Sequence, residues 1–174
     1  MMARFRFIYT LLAILVIAAC DTGRKDLAGP VYLDPEQSID KRAEDLLSRM
    51  TLEEKVGQIN WPCVYMNRFG EDIPTKQAGV RKYVVGDLLG IGPGGGFFTL
   101  ANEISREGTR QQAEVFNELQ HLAIEKTRLK IPLMQVEEGT HGFMAPGATI
   151  FPEGLGLGAT WNPDLIEDVY SAAA

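Results

Sequence analysis

Residues 131–163 read IPLMQVEEGTHGFMAPGATIFPEGLGLGATWNP, and this stretch decides the fold class that we predict. A short apolar run ends in two carboxylates, a histidine between polar and glycine residues follows, and a glycine-rich block leads to Trp-Asn-Pro. An apolar run of this length is typical of a buried strand. We therefore expect a strand whose carboxyl end delivers polar side chains into a cleft.

The elements around this strand alternate between strand and helix. Residues 84–100 form an apolar run interrupted by glycines, which predicts a second strand. A helix over residues 109–128 is predicted between the two strands, opened by a capping box of Thr109 and Gln112. Asn162 is expected to cap a final helix, with the proline after it at the first helical position. Apolar strands that alternate with helices favour an α/β fold with a parallel sheet.

Two helices are expected before the alternating region. Apolar residues at helical spacing predict a helix near residues 39–50. Thr51 and Glu54 have the spacing of a capping box, which predicts a second helix over residues 52–59. Residues 63–83 have mixed polarity and weak periodicity, so we expect a loop with room for a short helix.

The N-terminus is typical of an export signal. Residues 1–19 contain two arginines and then an apolar run too short to span a bilayer, and Cys20 directly follows two alanines. This layout predicts a lipoprotein signal peptide with Cys20 as the lipidated residue, and residues 20–32 as a tether. The alternative is an ordinary cleaved signal peptide with an incidental cysteine. We expect an exported bacterial lipoprotein of the periplasm, outer membrane or cell surface, attached to the membrane only through lipid.

The composition excludes several function classes. The net charge of the whole chain is −6, and basic residues do not cluster, which argues against a nucleic-acid partner. If Cys20 is lipidated, Cys63 has no cysteine with which to form a disulfide within the chain. His121 and His141 lie far apart in the sequence, so we expect neither a metal site nor a cofactor.

Residues 90–95 contain the pattern G-x-G-x-x-G. In dinucleotide-binding proteins the glycines of this pattern open a helix whose amides meet a pyrophosphate. The residues that follow here are typical of a strand, and the next helix is predicted only at residue 109. We therefore interpret the segment as a glycine-rich turn or strand end, with nucleotide binding as a weaker alternative.

The polar residues after the 131–136 strand have structural and functional interpretations. Successive side chains of a strand point to opposite faces, so only one of Glu137 and Glu138 can face a cleft. Composition alone favours a solvated acidic pair. His141 is a candidate for a general base, a ligand of sugar hydroxyls or a residue that holds a loop, and its spacing favours the loop. Trp161 is expected to pack at the rim of the fold.

Three blocks in consistent order resemble the N-terminal part of glycoside hydrolase family 3: RAEDLLSRMTLEEKVGQI, IPLMQVEEGTHGF and FPEGLGLGATWNPDLIEDV. The resemblance runs from about Leu33 to the last residue. It implies a (β/α)8 TIM-type barrel preceded by N-terminal helices, with the site at the carboxyl ends of the strands. Such a barrel needs about 250 residues, so residues 33–174 are expected to supply a partial barrel with its first βα units only.

The resemblance also assigns a role to one carboxylate. The family has an acidic residue, then two further residues and then a His-Gly pair, which here is Glu138 followed by Gly139, Thr140, His141 and Gly142. This implies that Glu138 binds hydroxyl groups of the sugar next to the scissile bond and that His141 organises the loop. A carboxylate suits this role because it accepts two hydroxyl donors through charge-assisted bonds.

The family's catalytic pattern is missing from this sequence. Retaining hydrolysis uses an aspartate nucleophile in a Ser-Asp-Trp or similar pattern, preceded by a Lys-His motif, together with a second acid. Neither pattern occurs here, so we expect an inactive N-terminal fragment of a longer enzyme that cleaves β-linked glucosides or xylosides from the non-reducing end. The alternative is a non-catalytic exported lipoprotein that serves as a carbohydrate-binding or interaction module.

Overall fold

The computed structural model describes residues 29–65 and 67–174. These residues form two compact units that divide between Arg49 and Met50. The predicted signal peptide and Cys20 lie outside the described residues. Within the described ranges, every helix is too short or too polar to cross a bilayer.

The first unit contains a 3-10 turn, Val31–Leu33, and helix α1, Ile39–Arg49. The Asp45 carboxylate joins the two, because it accepts a hydrogen bond of 3.1 Å from the Tyr32 amide and one of 2.9 Å from the Arg49 guanidinium. The apolar spacing predicted α1 correctly. No residue of this helix is buried, however, so its apolar face is not a core face.

The second unit has two strands that pair in parallel. Phe97 lies opposite Gln135 in this pair, and Cys63 forms a further parallel bridge to Phe98 on the other side of β1. The predicted alternation of strands and helices around a parallel sheet is therefore confirmed, with shorter strands than expected. The elements are α2 (Leu52–Gln58), α3 (Ile73–Val85), β1 (Gly96–Phe98), α4 (Thr109–Lys126), β2 (Met134–Val136), α5 (Gly154–Gly158) and α6 (Pro163–Ala173).

Helix α3 corrects two expectations. It occupies much of the segment predicted as a loop, and Val84 and Val85 belong to its last turn rather than to a strand. The β-branched pair favours a strand locally, but Gly86 ends the helix in a left-handed conformation with φ of 90°. At the other end Asp72 and Thr75 cap α3 reciprocally. A threonine stands there in place of the usual Glu or Gln, so the pattern escaped prediction.

The other helix caps separate correct from incorrect predictions. The Thr51–Glu54 capping box forms, and the Asn162 side chain accepts the Leu165 amide at 3.1 Å. The predicted capping box of Thr109 with Gln112 is wrong. Gly108 is the N-cap residue of α4, and the buried Gln112 side chain donates to the Ala101 carbonyl at 3.2 Å. A contact with the loop before the helix has replaced the local cap.

The glycine-rich segment before β1 is a packing element. The Gly95 amide donates to the Gly57 carbonyl at 2.9 Å, and the Gly94 amide donates to the Tyr83 carbonyl at 3.2 Å. A Cβ atom on Gly95 would overlap the Gln58 carbonyl, and one on Gly94 would overlap the Tyr83 ring. The segment leads into β1 rather than into a helix. This confirms the turn interpretation and removes the helix that a pyrophosphate site requires.

Three aromatic rings form the centre of the core. The Tyr83 ring lies 5.2 Å from the Phe97 ring and 5.7 Å from the Phe69 ring, the latter pair edge to face. The Tyr83 hydroxyl donates to the Asn60 carbonyl, so its polar atom is paired within an apolar surrounding. Aliphatic side chains complete the cluster: Val64, Val80, Val84, Leu100, Ile104, Val115, Leu119, Ala123 and Leu133.

Strand β2 is shorter and more exposed than predicted. Its predicted start, Ile131, follows Lys130 with a left-handed φ of 55°. The amide and carbonyl of Leu133 bond to the Gln120 side chain of α4 at 2.9 and 2.8 Å. Met134 at the start of β2 is 56% exposed. A side-chain amide thus replaces a neighbouring strand at Leu133, and only residues 134–136 join the ladder.

Burial of Tyr83 generates a prediction about alkaline stability. Burial raises the pKa of Tyr83 above its ordinary value, which is about 10 in an unfolded chain. A group with a raised folded pKa stabilises the fold below the unfolded pKa, and this contribution is lost as pH rises further. The free energy of unfolding should therefore fall above about pH 10, by up to about 1.4 kcal/mol per pH unit from this group.

Urea unfolding of the chain between pH 8 and 11.5 measures this effect. Tyr83→Phe should cost stability at pH 8, because it leaves the partly buried Asn60 carbonyl without its donor, and it should flatten the alkaline loss. Tyr170→Phe alters a half-exposed tyrosine and should keep the wild-type slope. An equal slope in wild type and Tyr83→Phe would contradict the prediction.

Candidate functional site

The carboxyl ends of three parallel segments lie side by side in the second unit. Cys63 borders β1 on one side and β2 borders it on the other. Because the segments run in the same direction, the residues that follow them meet at one edge. The side chains brought to this edge belong to Cys63, Tyr65, Thr99, Glu137 and Glu138.

Glu137 uses its carboxylate to bind the backbone of the neighbouring loop. Its Oε1 atom accepts the amides of Leu100 and Ala101 at 2.9 and 3.0 Å. The Gln135 side-chain amide donates to the same oxygen at 2.7 Å. These bonds place the Glu137 side chain against the end of β1 and give it a structural role.

Glu138 differs from its neighbour in exposure and in contacts. Its side chain is exposed, and within residues 29–65 and 67–174 its carboxylate makes no hydrogen bond or ion pair. The charge of Glu138 nevertheless affects the pKa of Tyr65. The pKa of Tyr65 is raised first by its hydrogen bond to Cys63, and Glu138 adds to the increase. Glu138 is therefore a carboxylate at the site edge that is available to a ligand.

Thr99 and Cys63 were not predicted at this edge. Thr99 has a left-handed φ of 57°, which is rare for a β-branched residue, and its hydroxyl lies 3.0 Å from the Cys63 sulfur. Cys63 arrives there because the Pro62 carbonyl accepts the Phe98 amide at 3.2 Å. A proline argues against a strand, but this position uses only its carbonyl. The run Trp-Pro-Cys-Val was the available signal.

His141 holds the loop that follows β2. Its Nδ1 atom lies 3.0 Å from the Phe151 carbonyl, and the Phe151 amide donates to the His141 carbonyl at 2.7 Å. The Nε2 atom lies 3.1 Å from the exposed carboxylate of Glu153. Nearby, the Tyr170 hydroxyl donates to the Thr140 carbonyl at 2.9 Å. These contacts agree with the loop-holding interpretation.

Trp161 lies in solvent, contrary to the expectation that it packs at the rim of the fold. Its side chain is 91% exposed, and its backbone is left-handed with φ of 52°. It occupies the short turn between α5 and α6, where Asn162 caps the second helix. This turn leaves the ring without a packing partner in the described part of the chain.

The loops after β1 and β2 also line an open surface depression of about 340 Å³. Asn102 and Arg106 come from the first loop, and the second loop supplies an apolar floor. The floor residues are Met144, Ala145, Pro146 and Ile150.

Parallel strands joined by a helix define an α/β protein, and the exposed carboxylate at their carboxyl ends makes that edge the candidate ligand site. Residues 51–174 match the family model described as "Glycosyl hydrolase family 3 N terminal domain". The chain therefore belongs to glycosyl hydrolase family 3, through the N-terminal domain of that family. The family assignment from the three sequence blocks is confirmed.

Curated relatives of the chain are named as β-glycosidases. Beta-glucosidase C of Emericella nidulans is 32% identical over 86% of this chain and 24% of its own length. The periplasmic beta-glucosidase of Salmonella typhimurium is 31% identical over 86% of this chain and 16% of its own length. A putative beta-xylosidase of Formosa agariphila is 29% identical over 80% and 18%. The chain thus spans a quarter or less of these relatives.

The contacts of His141 lead to a prediction about loop stability. His141→Ala removes the ring that binds the Phe151 carbonyl, and one such hydrogen bond contributes about 0.5–1.5 kcal/mol. We expect the segment 143–150 to become more accessible, measured as faster amide hydrogen exchange and faster proteolysis. His121→Ala is the matched control, because that side chain is 72% exposed on α4. Equal protection of 143–150 in both variants would contradict a loop-holding role.

Proposed function

We propose that residues 33–174 form the first βα units of a (β/α)8 barrel in a retaining β-glycosidase. The family match and the β-glucosidase names of the relatives support a β-glycoside as the substrate class. Residues 1–19 act as the signal peptide and residues 20–32 as the tether. The longer enzyme removes glucose or xylose from the non-reducing end of its substrate.

One observation carries the role of Glu138 in this proposal. Two adjacent carboxylates reach the carboxyl edge of the parallel segments, but Glu137 is bound by three donors of the protein. Glu138 is the exposed member of the pair. Its two oxygens accept two neighbouring sugar hydroxyls through charge-assisted bonds. Glu138 therefore binds the sugar next to the scissile bond and does not attack it.

The nucleophile and the acid lie outside this sequence in the proposed enzyme. Retaining hydrolysis needs one carboxylate that attacks the anomeric carbon and a second group that protonates the leaving oxygen. The sequence contains neither the Ser-Asp-Trp or similar pattern nor the Lys-His motif that the family resemblance leads us to expect. The 174-residue chain alone should therefore bind sugar at most and release no product from an aryl β-glucoside.

Membrane attachment through Cys20 is a separate part of the proposal: the name of one relative, a periplasmic beta-glucosidase, supports export, and the lipid anchor rests on the position of Cys20 after two alanines. Cys20→Ala should move the chain from the membrane fraction to the soluble fraction of the producing bacterium, since no acyl chain can then be attached. Incorporation of a labelled fatty acid into wild type measures the modification directly, and Cys63→Ala is the control. A Cys20→Ala chain that stays labelled and membrane-bound would exclude the anchor.

The sugar-binding role is tested in a chimera. Residues 33–174 replace the matching segment of the Salmonella typhimurium periplasmic beta-glucosidase, which supplies the remaining parts of the barrel. The chimera should hydrolyse p-nitrophenyl β-glucoside, and Glu138→Ala should lower kcat/KM by about tenfold or more, as expected for loss of a hydrogen bond to a charged group.

Glu114→Ala is the control for this measurement, because Glu114 is an exposed carboxylate on α4. Circular dichroism establishes that each variant is folded. Unchanged kinetics in folded Glu138→Ala would refute the assigned role. A folded chimera without activity, together with sugar binding by the 174-residue chain, would favour the non-catalytic carbohydrate-binding module.

A further inference from the structure

The ladder between β1 and β2 continues past the last strand residue through a side chain. The final backbone bond joins the Thr99 amide to the Val136 carbonyl at 2.9 Å. The next two amides of the β1 side, those of Leu100 and Ala101, find no further carbonyl on β2. The Glu137 carboxylate accepts both of them.

This arrangement is costly to lose. Leu100 and Ala101 are both fully buried, with 0% exposure, so water does not replace the acceptor. A buried donor without a partner carries its full desolvation penalty. The Glu137 side chain therefore holds the first residues of the loop after β1 in place.

We propose that Glu137 is a positioning residue for Glu138. This inference rests on the proposed sugar-binding role of Glu138 and deepens it. The two residues are consecutive directly after β2, and their side chains differ in surroundings: that of Glu137 is bound to the loop after β1, whereas that of Glu138 is exposed. Binding of Glu137 to the β1 side holds the shared peptide and keeps the Glu138 carboxylate on the open side.

The same contacts hold the residues that end β1. Thr99, in its left-handed conformation, directly precedes the two amides that Glu137 binds, and Cys63 lies against its hydroxyl. Tyr65, whose pKa responds to the charge of Glu138, is bound to this pair. Glu137 thus holds the loop residues next to the peptide that it shares with Glu138.

The first measurement uses the 174-residue chain itself. Glu137→Leu keeps the size of the side chain and removes the acceptor, whereas Glu137→Gln keeps a carbonyl oxygen for both amides. Amide hydrogen exchange at Leu100 and Ala101 should become about tenfold faster or more in Glu137→Leu and change little in Glu137→Gln. Glu114→Leu is the control. Unchanged exchange in Glu137→Leu would overturn the inference.

The second measurement is a double-mutant cycle in the chimera defined above. Glu137→Leu should lower kcat/KM for p-nitrophenyl β-glucoside by about tenfold, and Glu137→Gln should recover most of that loss. In the Glu138→Ala background, Glu137→Leu should change kcat/KM by less than about twofold, because interacting residues are not additive. Equal losses in both backgrounds would indicate a general structural role and overturn the inference.

These results separate the inference from the proposed function. An inactive wild-type chimera, or an active one that tolerates Glu138→Ala, counts against the function proposed for Glu138. The exchange rates of Leu100 and Ala101 then decide whether Glu137 holds the loop.

Discussion

The close approach of backbone to backbone around β1 is the constraint on which the rest of the second unit depends. A methyl group on Gly95 would overlap the Gln58 carbonyl, and one on Gly96 would overlap the Met134 carbonyl. Strand β1 is therefore pressed between α2 and β2 at distances that only glycine permits. The site follows from this contact, since Thr99 and the amides bound by Glu137 stand where β1 ends. A pattern that resembles a phosphate-binding motif is, in this chain, a requirement of packing.

The two adjacent glutamates after β2 are identical in sequence but have different contacts in the structure. Glu137 supplies the protein with an acceptor that the short strand β2 lacks, and Glu138 is left free on the open side. This division differs from the acid and base pair that adjacent glutamates suggest. In the sugar-binding role proposed for Glu138, such a neighbour orients the binding carboxylate while its own oxygen is bound by donors of the protein.

Local chemistry was the part of the structure that the sequence predicted well. The caps at Thr51 and Asn162 depend on residues three positions away, and both form as expected. Predictions failed where packing with other segments decides: Gln112 bonds the loop before its helix, and Val84 enters the core from the last turn of a helix despite its preference for strands. Alternation of side chains along a strand predicted different surroundings for Glu137 and Glu138. Family resemblance pointed to Glu138, whereas Cys63 and Thr99 meet only through a pairing of distant segments.

The Gln120 side chain has a consequence for how this region can change in evolution. It bonds both backbone groups of Leu133, thirteen residues further along the chain. The crossover helix and the strand that follows it are thereby set in register by one side chain as well as by the connecting loop. After insertion or deletion of one residue in 127–132, a neighbour of Leu133 would stand opposite Gln120. The side chains that follow, including the two carboxylates, would then point in different directions. Length variation should be tolerated in the loop after β2 sooner than in the loop before it.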